Sequence, residues 1–449
     1  ANPITRIEVE DGAGSTILTS GPGFFRSAND LQYTVDQIKL SADYVIGDHT
    51  LTFGVERETR DIFNLFIPDA TGTITFDSIA DLQAGQASGI VMNGSYTQDP
   101  SDAAAAFERD IDSFYLQDEW QINDAVTLIA GLRYDQYNSS DLPIANPVFE
   151  QRYGFSNQQT FAGFGVFGGG DPTVHFANAY QNFGGAIGFG GHFSAACSGL
   201  NPLDVFSGGT SFTGLPDCVR QAAADSANAN TGAVAAVDPN FDLPSNHRWS
   251  IGMNHVFENS YSFLNDMELR VDYIYTQHKD AVDWVDLRLT PNGETLPDGR
   301  ARFFEVDPLL PGCTATFNGI RGGFSNAGTN GGPCDDTGNP NQDVLMTNGV
   351  EGTTKSLSVQ LSKDFQFTDK TSFDLSFGYA WLDAEVGNPV NSSTAGSAYE
   401  EVAKVTLNNN TLGPALWANE HNFVLSGKLK HYFFEEHATS FAFFLQRRS

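Results

Sequence analysis

The chain has 449 residues, with 24 Lys+Arg against 55 Asp+Glu and a net charge of -31. That acid excess argues against a nucleic-acid partner and against any polyanionic ligand, because phosphate recognition needs a basic face. Only 18% of residues are charged while Gly (45) and aromatics (12%) are abundant, which excludes a charge-rich disordered chain and suits turn-rich all-β structure. No apolar run reaches the roughly 18 residues a transmembrane helix needs, so any membrane crossing falls to strands closed into a barrel. The opening ANPITRIEVE has neither the basic nor the apolar region of a signal peptide, and the chain reads as mature, processed or cut from something longer.

In chain order, a short leading strand is predicted at Ile4 to Glu10, followed by five hairpins. Leu31 to Ile46 turns at Gly47-Asp48 into Leu51 to Arg60. DSFYLQDEWQINDAVTLIAGLRYDQY, Asp112 to Tyr137, bends at Asn123-Asp124; its second arm puts Val126, Leu128, Ala130, Leu132 and Tyr134 on one face and Thr127, Gly131, Arg133 and Asp135 on the other. A period of two means strand, and arms of about ten residues match the 9–11 that a tilted strand needs to cross a bilayer. Trp249 to Phe257 pairs with Met267 to Thr276 across Glu258 to Asp266. In Lys355 to Phe365, Leu357, Val359 and Leu361 oppose Ser356, Ser358, Gln360 and Ser362; after Thr368-Asp369-Lys370, Phe373, Leu375, Phe377, Tyr379 and Trp381 oppose Ser372, Asp374, Ser376 and Gly378. Asn422 to Tyr432 turns at Glu435-Glu436 into Thr439 to Gln446.

Between the hairpins lie long polar, Gly- and Pro-rich segments, Asp61 to Glu108, Asn138 to Pro244, Thr290 to Thr353 and Asp383 to Glu420. Short turns alternating with long loops are the pattern of outer-membrane barrels. A soluble β-sandwich shows the same apolar and polar rows. Strand length, loop alternation and aromatics near strand ends (Trp120, Tyr134, Tyr137, Trp249, Tyr379, Trp381) together favour the barrel. The ionisable residues of both signs in the polar rows, Glu56, Arg133, Asp135, Glu268, Arg270, Asp272 and Asp374, suit a wet or plugged lumen. The expected fold is an all-β, antiparallel transmembrane β-barrel of outer-membrane type, incomplete at about 10–12 strands, with long extracellular loops. Leu128, Leu132, Val359, Leu361, Phe373, Leu375 and Phe377 should form the outward belt, with Arg133, Ser358 and Asp374 inward, all short turns at one end, and first and last strands unpaired.

SFYLQDEWQIN followed by VTLIAGLRYD resembles a hairpin of TonB-dependent outer-membrane receptors, and HTLTFGVERE resembles the strand before it. DPNFDLPSNHRWSIGMNH (Asp238 to His255), DAVDWVDLRL (Asp280 to Leu289) and LPDGRARF (Leu296 to Phe303) are similar to the Oar-like subgroup. The resemblance implies a plug domain inside a barrel of about 22 strands. It further implies import of a ligand driven by the inner-membrane TonB complex, and a carboxypeptidase-regulatory-like module ahead of the plug. Residues 1–449 depart from that pattern: they carry no plug, TonB box or N-terminal module and end at FAFFLQRRS without a closing aromatic residue. The expected partners are outer-membrane lipid, an unidentified extracellular ligand and, through a plug outside this stretch, the TonB complex. A passive porin-like channel and a surface adhesin or structural barrel are the alternatives; an outer-membrane protease or phospholipase is a more distant one.

No catalytic residue, cofactor or metal site is assigned. Cys197, Cys218, Cys313 and Cys334 form two pairs, each 21 positions apart within one long loop, with no C-x2-C pair. They are expected to bond as Cys197 with Cys218 and Cys313 with Cys334, which implies an oxidising, extracytoplasmic compartment. PCDDTGNPNQD, Pro333 to Asp343, clusters acidic and amide residues but lacks EF-hand spacing, so an acidic surface turn is expected rather than a calcium loop. His247 and His255 lie eight apart on one strand, too far to share a metal. GFGVFGGG (Gly163 to Gly170) and FGGAIGFGGHF (Phe183 to Phe193) do not link a strand to a helix, as phosphate binding requires, and are expected in a surface loop.

Overall fold

The computed structural model describes residues 5–84, 87–95, 97, 99–123, 126–159, 163–166, 186–190, 219, 221, 224–225, 232–258, 263–339, 341–389, 395–434 and 437–449. Its frame is a set of ten long strands: β1 (Ala28–Ile46), β2 (His49–Ile67), β3 (Ala105–Asn123), β4 (Val126–Asn138), β5 (Ser245–Phe257), β6 (Met267–Lys279), β7 (Thr353–Thr368), β8 (Thr371–Val386), β9 (His421–Phe434) and β10 (His437–Arg448). All neighbouring long strands are antiparallel. They form two walls, one in the order β1-β2-β3-β4 and the other β5-β6-β7-β8-β9-β10.

Within each wall the register puts every short turn at one end. His49 pairs with Trp120 and Trp120 with Leu128 in the first wall; Phe257 pairs with Met267, Thr368 with Thr371 and Phe434 with His437 in the second. The long connections leave from the opposite end, where Ala28 faces Ile67, Asp110 faces Asn138 and Ser245 faces Lys279. This is the arrangement of periplasmic turns and extracellular loops in outer-membrane barrels.

Register also decides which side chains share a face. One face of the second wall carries Ile251, Tyr273, Leu357, Trp381; then Met253, Val271, Val359, Tyr379, Phe423; then Leu269, Leu361, Phe377, Leu425, Leu445; then Phe365, Phe373, Leu429, Phe441. From Leu357 to Phe365 this apolar face extends about 26–27 Å along the strand at 3.3–3.4 Å per residue, or roughly 20 Å along the membrane normal at the usual tilt, close to the apolar band of about 25 Å on outer-membrane barrels. The opposite face carries Asp272, Ser358, Arg270, Gln360, Ser362, Ser376, Asp364, Asp374 and Lys428. In the first wall Leu40, Val55, Phe114, Tyr134 and then Phe53, Leu116, Leu132 make the apolar face, with Lys39, Glu56, Ser113 and Asp135 behind them. Leu132 is 62% exposed and Ile251 72%. Among the described residues no second sheet packs on these rows, so the sandwich alternative fails and lipid is the medium that covers them.

At Gly54 of the first wall a ring covers the space a side chain would take. The Tyr115 ring lies over Gly54, and a Cβ built at Gly54 would also meet Leu40 O at 2.8 Å. Gly54→Ala should therefore displace Tyr115 and destabilise the first wall by about 1–3 kcal/mol, the usual cost of overpacking. The check is urea unfolding of the lipid-reconstituted protein, with Gly131→Ala beside it as the milder comparison, its nearest contact being Leu116 O at 3.3 Å. Lys363 falls on the apolar face but is only 8% exposed; its ammonium donates to Phe263 O (2.7 Å) and Asn265 O (2.6 Å) and lies over the Phe365 ring, so carbonyls and a ring take the place of water around its charge.

Three expectations are corrected. The leading strand does not join a wall: Arg6–Glu10 pairs with Thr16–Ser20 and Thr73–Phe76 in a small five-stranded sheet, because its short apolar pattern is completed by a segment far along the chain. The described parts of the glycine-rich stretches are not simple loop, since Gly163–Val166 pairs antiparallel with the end of β4 and Ala186–Gly190 pairs with Gly89–Asn93. The long connections are not structureless either; they contain further short strands and helices. Among the described residues β1 pairs only with β2, β10 only with β9, and no ladder joins the two walls.

Candidate functional site

On the polar face of the first wall, Arg133 is the hub. Its Nε donates to Asp135 Oδ1 (2.9 Å), one Nη donates to Ser113 Oγ (2.8 Å) and the other stands 3.5 Å from Glu56 Oε2. Lys39 and Arg133 lie 5.5 and 6.0 Å from the centre of the Tyr115 ring, and Gln37 hydrogen-bonds Glu56. Arg133 thus ties together two carboxylates, one on β2 and one on β4, while Lys39 sits over the Tyr115 ring. A cavity of about 610 Å³ opens here between Lys39, Asp43, Thr52, Gln117 and Arg133. The second wall offers a smaller one, about 440 Å³, lined by Arg270, Asp272, Ser358 and Gln360, with Arg270 and Asp272 paired at 3.2 Å. Arg133, Asp135, Arg270 and Asp272, all singled out from the sequence, are therefore brought onto polar wall faces, self-paired rather than converging on a metal.

The long-connection end carries an ordered cap. Val234–Val237 runs parallel to Asp343–Asn348, and Val282–Asp286 antiparallel to it. Over this sheet pack the helix α1 (Pro147–Tyr153) and the hairpin Leu289–Thr295 with Ala301–Glu305, burying Phe149, Tyr153, Val285, Leu287, Phe304, Val306 and Leu345. The helix α1 is set by its own sequence: the Asn146 side chain accepts from Val148 N and Phe149 N, Pro147 occupies the first turn, and Gly154 closes it at φ 78°. Asn-Pro followed by Gly is a readable helix signal inside a stretch expected to be loop.

Buried charge holds the cap together. Arg152, on α1, donates to both oxygens of Asp307 (3.2 and 2.9 Å) and to Asp343 Oδ2 (3.2 Å), which also accepts from Tyr153 OH at 2.6 Å. Arg288 pairs with Asp336 and donates to Asn341 O at 2.7 Å. Arg321 donates to Asp283 Oδ2 (2.8 Å), Asn408 O (2.6 Å) and Asn348 O (2.9 Å). Cys313 and Cys334 are disulfide-bonded, closing the loop that bears Arg321. Cys197 and Cys218 lie outside the described residues. In Pro333 to Asp343 the acidic groups point apart: Asp335 accepts from Gly331 N and Thr337 N, Asp336 serves Arg288 and Asn339, and Asp343 serves Arg152 and Tyr153. Those carboxylates are consumed by the fold, so the stretch is a structural turn of the cap, part of it buried, and not simply a surface turn.

Burial shapes the titration of the cap. It pushes the Asp286 carboxyl up to about 7 against the lowering effect of the Arg288 N–H, and raises Asp343 and Glu305 as well. Between the ordinary carboxylate range, about 4, and 7 the folded cap binds more protons than the unfolded chain, so its stability falls as pH rises through that window. Hydrogen exchange across 282–287 and 343–348 should be slower at pH 5 than at pH 8 after correction for the intrinsic rate, and Asp286→Asn should flatten the difference.

Residues 2–190 match the family described as outer membrane beta barrel domain. No curated protein matches the chain. Among solved structures it is similar to the outer membrane transporter YddB from Escherichia coli (11% identity, 92% of this chain and 42% of that one, TM-score 0.43). It is also similar to the FrpB iron transporter from Neisseria meningitidis (11%, 93% and 43%, TM-score 0.36) and to the siderophore receptor PirA from Pseudomonas aeruginosa (10%, 91% and 52%, TM-score 0.34). The chain spans about half the length of these proteins or less. The matched domain and the lipid-facing rows make this an all-β, outer-membrane-barrel protein of the Gram-negative outer membrane.

Proposed function

We propose that residues 1–449 form barrel wall and outer cap of a TonB-dependent receptor of the Oar-like subgroup, which binds an extracellular ligand and imports it. On this reading the plug, the N-terminal module and further wall strands belong to the same protein outside this stretch. The observation that carries the proposal is the pairing of a polar, ion-paired wall face with an ion-paired cap at the long-connection end. A cap built this rigidly presents fixed surfaces, which suits capture of a specific solute better than free diffusion. It also supports a loop-borne binding role better than catalysis, because Arg152, Arg288 and Arg321 are each spent on carboxylates of the fold.

Planar-bilayer recording on the full-length protein separates the proposal from a passive channel: a plugged receptor is closed, whereas a porin conducts steadily. Binding of the purified protein to the periplasmic domain of TonB is the second expected result. Steady conductance together with no TonB binding would replace the receptor reading by the diffusion channel, and a closed protein with no TonB binding would favour the structural barrel.

A further inference from the structure

We infer that the bulge at Ala415–Asn419 is an interfacial anchor that sets Leu416 and Trp417 into the outer-leaflet boundary of the membrane. Leu416 is 81% exposed and Trp417 56%, in a loop that is otherwise held firmly. Gly413–Pro414 pairs with Glu385 and Val386 of β8, Ala415 N donates to Ala384 O (2.9 Å), and Leu382 N donates to Glu420 O (3.0 Å). Residues 415–419 are therefore extruded from the wall between two fixed points of one ladder, and Ala418 N closes the bulge on Ala415 O at 3.0 Å.

The register gives the height of this bulge. Trp381 and His421 end the apolar face; in the next row Trp249 faces Tyr275, Tyr275 faces Lys355, and Lys355 is ion-paired to Asp383 at 3.0 Å. The bulge occupies the place of β9 in that row, where hydrocarbon gives way to charge. Amphipathic rings concentrate at this level of a membrane barrel. Its composition agrees: from Val405 to Asn419 no residue is ionisable, in a chain of net charge -31. The occupant that fits an uncharged Leu-Trp pair continuous with a lipid-facing row is the lipid interface, since a soluble acidic chain gains nothing by exposing the two together.

The test is Trp417 fluorescence in the full-length protein reconstituted in phosphatidylcholine vesicles, read as the difference between wild type and Trp417→Phe. Lipids carrying a nitroxide near the headgroup should remove most of that difference signal, and lipids labelled near the bilayer centre distinctly less. Leu416→Ser should shift the Trp417 emission to the red while leaving the mobility of the folded protein on gels unchanged. A Trp417 signal quenched by aqueous iodide and untouched by either lipid label, or shielded from both, would overturn the assignment.

Discussion

Leu361→Arg is expected to cost the folded protein about 2–4 kcal/mol, the penalty for a cation at mid-depth on the lipid face of a barrel. Leu361 lies in the row Leu269, Leu361, Phe377, Leu425 and Leu445, between the apolar Val359 row and the row of Lys363 and Leu375, so an introduced guanidinium meets a second cation and no carboxylate in its own or the adjacent rows. Ser358→Arg, three residues away but on the other face beside Asp272, should change stability by only about 0.5 kcal/mol, as surface substitutions do. Urea titration of the lipid-reconstituted full-length protein measures both. Equal costs for the two variants would mean that the two faces do not see different media, and the membrane orientation of the second wall would be wrong.

Arg152→Met should loosen the cap by about 3–5 kcal/mol without unfolding the walls, because it strands buried carboxylates. The Arg152 side chain is 2% exposed and Asp343 is fully buried, so neither can turn to water when the other is removed. Hydrogen exchange should accelerate in Val234–Val237, Val282–Asp286 and Asp343–Asn348, the sheet under α1, and stay unchanged in β6 to β9. Adding Asp343→Leu should recover part of the loss, since an apolar pair of similar volume can replace a buried ion pair at little cost. If the walls exchanged faster along with the cap, the two would be one cooperative unit.

The alternation of β7 and β8 was readable because a lipid-facing strand must repeat every two residues. Leu357, Val359 and Leu361 fall opposite Trp381, Tyr379 and Phe377 with no exception. Lys363, in the same row as Leu375, breaks the rule, and only the turn carbonyls at Phe263 and Asn265 explain how. The cap was nearly illegible. Its central strand pairs Val234–Val237 with Asp343–Asn348 across more than a hundred residues, and its ion pairs join Arg152 to Asp307 and Asp343. The Asn146-Pro147 start and Gly154 stop of α1 gave local notice of order there.

What the sequence determined by itself was the crossing: strand length, two-residue period and short turns are local properties, and a one-residue slip would move every apolar side chain to the wrong face. What only the tertiary structure decided was the use of the polar residues. Whether Asp336 and Asp343 bind an ion or hold a fold depends on which cations the chain brings to them from afar, and Arg288 and Arg152 answer that. The same holds for the leading strand Arg6–Glu10, drawn away from the wall by Thr73–Phe76, and for Trp417, whose level in the membrane is set by a ladder to β8 that no local pattern encodes.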